Sequence, residues 1–220
     1  MKKSRQKENK NKLTPLEAKT PNQKDYIRAI VENDVVICSG PAGSGKSYIS
    51  AGMAAHQLHS PDSEISKIVV TRPLVCTGKD LGSMPGEMGD KIAPYLLPMM
   101  EHLKHFLSIA WYGHYSNEQS IQYRPLEVMR GSTFDNSFMI LDEAQNCTVD
   151  QIKMFLSRMG KNSKVIINGD VNQNDLRGKS GLNFCIERLS DIDRVACCEL
   201  TYEDIQRHDL IGAILKALES

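Results

Sequence analysis

Eight consecutive residues, Gly40-Pro41-Ala42-Gly43-Ser44-Gly45-Lys46-Ser47, fill every fixed position of the pattern G-x-x-x-x-G-K-[ST]. That spacing is suited to phosphate. Glycines let backbone N–H groups curl round phosphate oxygens, and a following helix N-terminus adds partial positive charge. Lys46 can reach β- and γ-phosphates, and the Ser47 hydroxyl suits a Mg²⁺ shell. Tyr48 follows directly and joins Gly40 to Ser47 as a candidate nucleotide contact. A glycine-rich turn without a ligand is the plain alternative, and the flanks argue against it. Val35-Val36-Ile37-Cys38 reads as a buried parallel strand, and Lys46 to Leu58 as a helix that ends before Pro61.

A second constellation lies downstream. Phe138-Met139-Ile140-Leu141 is an apolar strand that ends in Asp142-Glu143, as a Walker B element requires. Asp142 would help hold Mg²⁺, and Glu143 would orient or deprotonate the attacking water. The strand end is expected beside the phosphate loop, on the adjacent strand. Gln145, and Gln173 after Gly169-Asp170, are polar groups placed to sense a γ-phosphate or its water. Plain loop residues are the alternative for both glutamines.

The elements that must position these groups can be read from the pattern. Strands are expected at 35–39, 67–71, 137–141, 164–168 and 194–200, with helical patterns between several of them. Ile152, Phe155, Leu156 and Met159 give one helix an apolar face, and Thr148 to Gln151 is a capping-box pattern at its start. A last helix is expected from about Glu203 to Leu218, with Ile211, Ile214, Leu215 and Leu218 on its inner stripe. Strands alternating with helices predict a mostly parallel α/β sheet with helices on both faces, and ligand at the carboxyl ends of the strands.

Composition sets the bounds. The 220 residues suit one α/β domain with a tail, and 40% of them are apolar. Residues 1–19 are lysine-rich and read as a disordered tail, with the folded domain over 20–220. The basic start lacks an apolar segment after it, so no secretory signal is expected, and no apolar run approaches a membrane span. Six scattered cysteines without a C-x-x-C pair read as buried thiols in a reducing cytoplasm. Formal net charge is zero, which argues against a polyelectrolyte-coated nucleic-acid binder but leaves room for a local basic patch.

The chain resembles the PhoH-like family of P-loop ATPases, itself similar to the first motor domain of superfamily-one helicases. The resemblance rests on the loop at 40–47, Thr71-Arg72-Pro73, Leu81 to Glu87, Pro94 to Pro98, Met129-Arg130-Gly131, Ile140 to Asn146, Gly169-Asp170 with Gln173, and Glu203-Asp204-Ile205 with Arg207-His208. It covers nearly all of the chain after Thr20. The family pattern continues after Arg130-Gly131 with a long residue, where this chain has Ser132. The resemblance implies a RecA-like core that binds and hydrolyses ATP with Mg²⁺.

It also implies roles for four further residues. Gln23 would contact adenine, although Thr20-Pro21-Asn22-Gln23 is also a capping box with proline at the first helical position. Arg72 and Arg130 would contact a nucleic-acid backbone, or else pair with nearby acids. Arg207 would be an arginine finger or a paired arginine at a helix start. His102 and His105 have metal-like spacing, but no acid or cysteine completes a ligand set; an amphipathic helix followed by an exposed loop explains 102–114 better. With room for one motor domain, three assemblies are open. They are a homo-oligomeric ring ATPase acting on RNA or single-stranded DNA, an ATP-driven switch on a partner, and a regulatory module with little turnover. A small-molecule kinase fits less well, because Glu143 is a water-activating acid.

Overall fold

Runs of Val and Ile make the framework. β1 (Val35–Ser39), β2 (Lys67–Thr71), β3 (Ile121–Tyr123), β4 (Ser137–Leu141), β5 (Lys164–Gly169) and β6 (Val195–Glu199) pair in the order β3-β2-β4-β5-β1-β6. Every pairing is parallel. The computed structural model describes residues 13–73, 88–173 and 180–206, with positions 214 and 217; over 88–94 only the backbone is described. The helices are α1 (Pro21–Glu32), α2 (Lys46–His59), α3 (Met88–Asn117), α4 (Val149–Leu156) and α5 (Gly181–Leu189).

The central strands are buried on both faces, which is why they read as unbroken apolar runs. Val36, Cys38, Ile140 and Ile166 face one core with Tyr26, Ala51, Ala54 and Phe106. Ile37, Met139, Val165 and Ile167 alternate with them and face a second core with Ile152, Phe155 and Leu182. Phe106 and Phe155 are fully buried, and truncating either to alanine should cost about 3–5 kcal/mol. Small residues bring α2 onto α3: a Cβ at Gly52 would meet Phe106 at 2.9 Å.

Connection order positions the site. The chain leaves β1, runs through α2 and enters β2, beyond β5 and β4 in the sheet. α2 therefore packs over β5, β4 and β2, carrying its first turn across the carboxyl ends of β5 and β4. The expectation that β4 lies next to the strand bearing the phosphate loop is corrected here, because β5 stands between β1 and β4.

Other differences are local. β3 is a three-residue edge strand, too short to stand out as an apolar run. β5 extends to Gly169, and β6 is trimmed to Val195–Glu199. α3 continues to Asn117 where a loop was expected, and it is broken at Ser108, whose φ of 64° and ψ of 160° leave the helical region. Residues ahead of the expected boundary at Thr20 are packed: Leu13 and Leu16 sit against the first core, and Thr14 N–H donates to the Phe106 carbonyl at 2.9 Å. The segment after β6 opens as a 3-10 turn, Tyr202–Asp204. Ile214 is exposed rather than on an inner stripe, while Ile211, Leu215 and Leu218 lie outside the described residues. Cys38, Cys147 and Cys185 are buried thiols as expected, but Cys197 is exposed on the edge strand.

Candidate active site

The phosphate loop leaves β1 at Gly40, where the chain passes so close to Leu200 that a Cβ would stand 2.4 Å from its carbonyl oxygen. Gly45 caps α2 with φ of 104°, a left-handed conformation that disfavours side chains. The Ser44 hydroxyl turns inward and donates to the Pro41 carbonyl at 2.8 Å. Lys46 Nζ donates to the Gly40 and Pro41 carbonyls at 2.5 and 2.9 Å. Burial lowers the Lys46 pKa, while Cys38, Asp170, Asp142 and Glu143 work in the opposite direction.

Ser47 Oγ donates to Asp142 Oδ1 at 2.8 Å. The reach across β5 that strand order demands is thus made by the first turn of α2. Burial raises the Asp142 pKa, Glu143 adds to this, and Ser47, Arg72 and Lys46 oppose it. A hydroxyl and a buried, under-compensated carboxylate are hard oxygen donors, a set that fits Mg²⁺. Among the described residues no group of three or more His, Cys, Asp or Glu could hold a metal by itself.

Glu143 follows in a left-handed conformation, φ 57° and ψ 40°. Its two oxygens are both engaged. Arg72 stands 3.1 Å from Oε1, and Gln145 Nε2 donates to Oε2 at 2.6 Å. Gln145 is buried, and its own Oε1 accepts from the Asp170 N–H at 3.1 Å. Its amide is therefore a brace between the β4 and β5 ends. Gln173 is exposed and lines the cavity.

That cavity holds about 760 Å³ and is lined by Lys46, Ser47, Asp142, Glu143, Gln145 and Gln173, with Ala42, Gly43, Gly45, Tyr48, Arg72 and Gln23. Its volume is that of a small-molecule site. The Tyr48 ring leans on Phe106 at 4.7 Å between centroids and meets His102 edge-on; its hydroxyl lies 3.2 Å from His105 Nε2. Both histidines thus pack against Tyr48. Arg130 is exposed and is not among the residues lining this cavity. Arg207 lies outside the described residues, although Gln206 N–H donates to the Gly43 carbonyl at 3.2 Å.

Gln23 departs from the expected capping box. Thr20 Oγ1 accepts from Gln23 N–H at 3.2 Å, but Gln23 Oε1 accepts from the Lys19 N–H rather than returning to Thr20. Its amide nitrogen donates to the carbonyls of Ser44, at 2.8 Å, and Asp204, at 3.3 Å. Asp204 itself is a hub missed in the sequence: its carboxylate accepts from Thr20, Asn22 and Thr201. Its spacing from Thr201 is a capping-box pattern, which is the signal that could have found it. A second buried chain was also missed. Tyr26 OH donates to Asn168, Asn168 to Ser50, and Ser50 to the Ser47 carbonyl, at 2.7, 2.9 and 3.1 Å. Single polar groups in helix and strand patterns gave no signal of these partners.

The family model described as PhoH-like protein matches residues 15–219. The chain belongs to the PhoH-like protein family. A PhoH-like protein of Bacillus subtilis is 42% identical over 206 residues, covering 93% of this chain and 64% of the relative. Protein PhoH of Escherichia coli is 38% identical over 208 residues, covering 93% and 58%. The PhoH-like chain thus spans about 56–64% of the length of curated relatives such as these and that of Mycobacterium tuberculosis. The large terminase of a thermophilic bacteriophage is similar in fold, with a TM-score of 0.55 at 10% identity over 92% of this chain and 50% of that one. Another crystal form of that terminase, in complex with ADP, gives 0.54 at 12% identity, over 90% and 49%. The fold is a RecA-like P-loop NTPase fold. No described helix is long and apolar enough to cross a membrane.

Proposed function

We propose that this PhoH-like chain hydrolyses Mg²⁺-ATP and couples turnover to RNA or single-stranded DNA, as a cytoplasmic homo-oligomeric ring. The observation that carries the ATPase reading is the 2.8 Å bond from Ser47 to Asp142, with Glu143 next in sequence and facing the same cavity. The ADP complex of the terminase of similar fold supports a nucleotide in this cavity.

In this reading the loop N–H groups and the α2 N-terminus bind the phosphates. Lys46 exchanges the Gly40 and Pro41 carbonyls for phosphate oxygens. Ser47 and Asp142 would hold Mg²⁺, which would offset negative charge on the phosphates. Gln145 braces Glu143. Glu143 takes a proton from water as the water oxygen bonds to the γ-phosphorus. The bond from γ-phosphorus to the bridging oxygen breaks, leaving ADP and inorganic phosphate, and Glu143 returns its proton to solvent. Gln173 orients the γ-phosphate or its water, and Arg207 completes a neighbouring subunit's site.

The test is ATP hydrolysis by the purified chain with and without single-stranded RNA or DNA, together with its solution mass. Turnover stimulated by one polymer in a multi-subunit species supports the full reading. Turnover indifferent to both polymers removes the nucleic-acid part. ATP binding without turnover leaves a regulatory module.

A further inference from the structure

The ion pair between Arg72 and Glu143 is unusual in where it stands. Glu143 is the acid assigned to accept a proton from water, and Arg72 occupies one of its oxygens from the end of β2. The Arg72 guanidinium also donates to the Tyr95 carbonyl at 3.1 Å. It is thus held between α3 and the β4 end, and it lines the cavity. Gln145 holds the other oxygen and is itself anchored on β5. The two holds differ in kind. Gln145 is buried, whereas the Arg72 and Glu143 side chains keep 26% and 35% of their surface exposed. Water reaching a half-buried pair screens it and weakens its hold relative to a buried contact. A phosphate can offer the same guanidinium two parallel charge-assisted bonds, which a single carboxylate oxygen does not.

We propose that Arg72 is a phosphate-operated latch on Glu143. In the arrangement seen here the latch is closed. A phosphate oxygen arriving at the cavity draws the guanidinium away, and Glu143 is left braced by Gln145 with one oxygen open to water. Arg72 is a positioning residue in this scheme, and its role rests on Glu143 acting as the base. Two sources carry the required chemistry, the γ-phosphate of the nucleotide and the backbone of a bound single strand. Either would tie hydrolysis to the arrival of its ligand.

The test compares the full chain with Arg72→Gln. Turnover is read with and without oligouridylate, and binding is read for ATPγS, ADP and oligouridylate. If a strand operates the latch, it stays closed with ATP alone, and Arg72→Gln should raise unstimulated kcat about three- to tenfold, the scale of losing a weak ion pair. The gain should vanish in the double variant Arg72→Gln/Glu143→Gln, which ties it to Glu143. If a strand operates the latch, the variant loses stimulation and its oligouridylate salt slope falls by about 1. If the γ-phosphate operates it, the variant loses preference for ATPγS over ADP and keeps its response to oligouridylate. Arg72→Lys keeps the charge without the planar fork and should fall between the two; it also serves if the glutamine variant folds poorly. Unchanged or lowered unstimulated kcat in Arg72→Gln, with both the ATPγS-over-ADP preference and the response to oligouridylate kept and wild-type turnover intact, overturns the latch alone. Binding of ATPγS with no hydrolysis in any variant overturns the ATPase reading, and the latch with it.

Discussion

The amide nitrogen of Gln23 lies 2.8 Å from the carbonyl oxygen of Ser44, and both residues are buried. A side chain twenty-one positions upstream thus braces the turn of the phosphate loop. Its carbonyl is also engaged, by the Lys19 N–H. Gln23→Ala strands these two partners, so we expect a loss of about 1–3 kcal/mol in urea unfolding. ATP, ADP and GTP should weaken together. A loss of discrimination between ATP and GTP at unchanged stability would instead assign Gln23 to the base.

Lys46 is a half-buried cation supported by loop carbonyls. Removing it relieves a desolvated charge, so Lys46→Ala should leave the thermal midpoint of the nucleotide-free protein unchanged or higher. Ligand stabilisation should disappear. Wild type at ATP near 100 times Kd gains about 2.7 kcal/mol, and the variant should gain nothing measurable by calorimetry at the same concentration.

Glu143→Gln keeps the shape of the side chain and removes its basicity. Single-turnover rates should fall about 10²- to 10⁴-fold with ATP affinity retained. Normal rates in this variant would take Glu143 out of the chemistry.

Asp204 ties the segment after β6 to the start of α1. Burial works to raise its pKa, but hydrogen bonds from Thr20, Thr201 and Asn22 outweigh this and hold it below its ordinary value. A depressed carboxyl contributes stability that is fully present above its unfolded value, about 3.9, and lost as pH falls through the lower folded value. Asp204→Asn should cost about 1–3 kcal/mol near neutral pH. The gap from wild type should narrow as pH falls below about 3.9 through the lower folded value, as urea titrations across that range would show.

Gly40 has no room for a side chain beside Leu200. Gly40→Ala must push the phosphate loop from the segment after β6, with an expected cost of about 1–3 kcal/mol. Weakened ATP binding should accompany it, read by titration against wild type.

Sequence alone determined the parts whose chemistry is local. The glycines, Lys46 and Ser47 are contiguous, so loop geometry follows from residue type. The apolar run into Asp142-Glu143 declares a buried strand with acids at its end. The apolar strands were legible because burial on both faces leaves no polar alternation. Tertiary structure decided what depends on partners far apart in the chain. The crossing of α2 over β5 sets Ser47 against Asp142, a pair 95 positions apart. Arg72 meets Glu143 because β2 and β4 are neighbours, an order no residue on either strand announces. Gln23, Gln145 and Asp204 carry hydrogen-bonding groups whose partners only packing selects. For such side chains the sequence states the capacity to bond, and the fold chooses the bond.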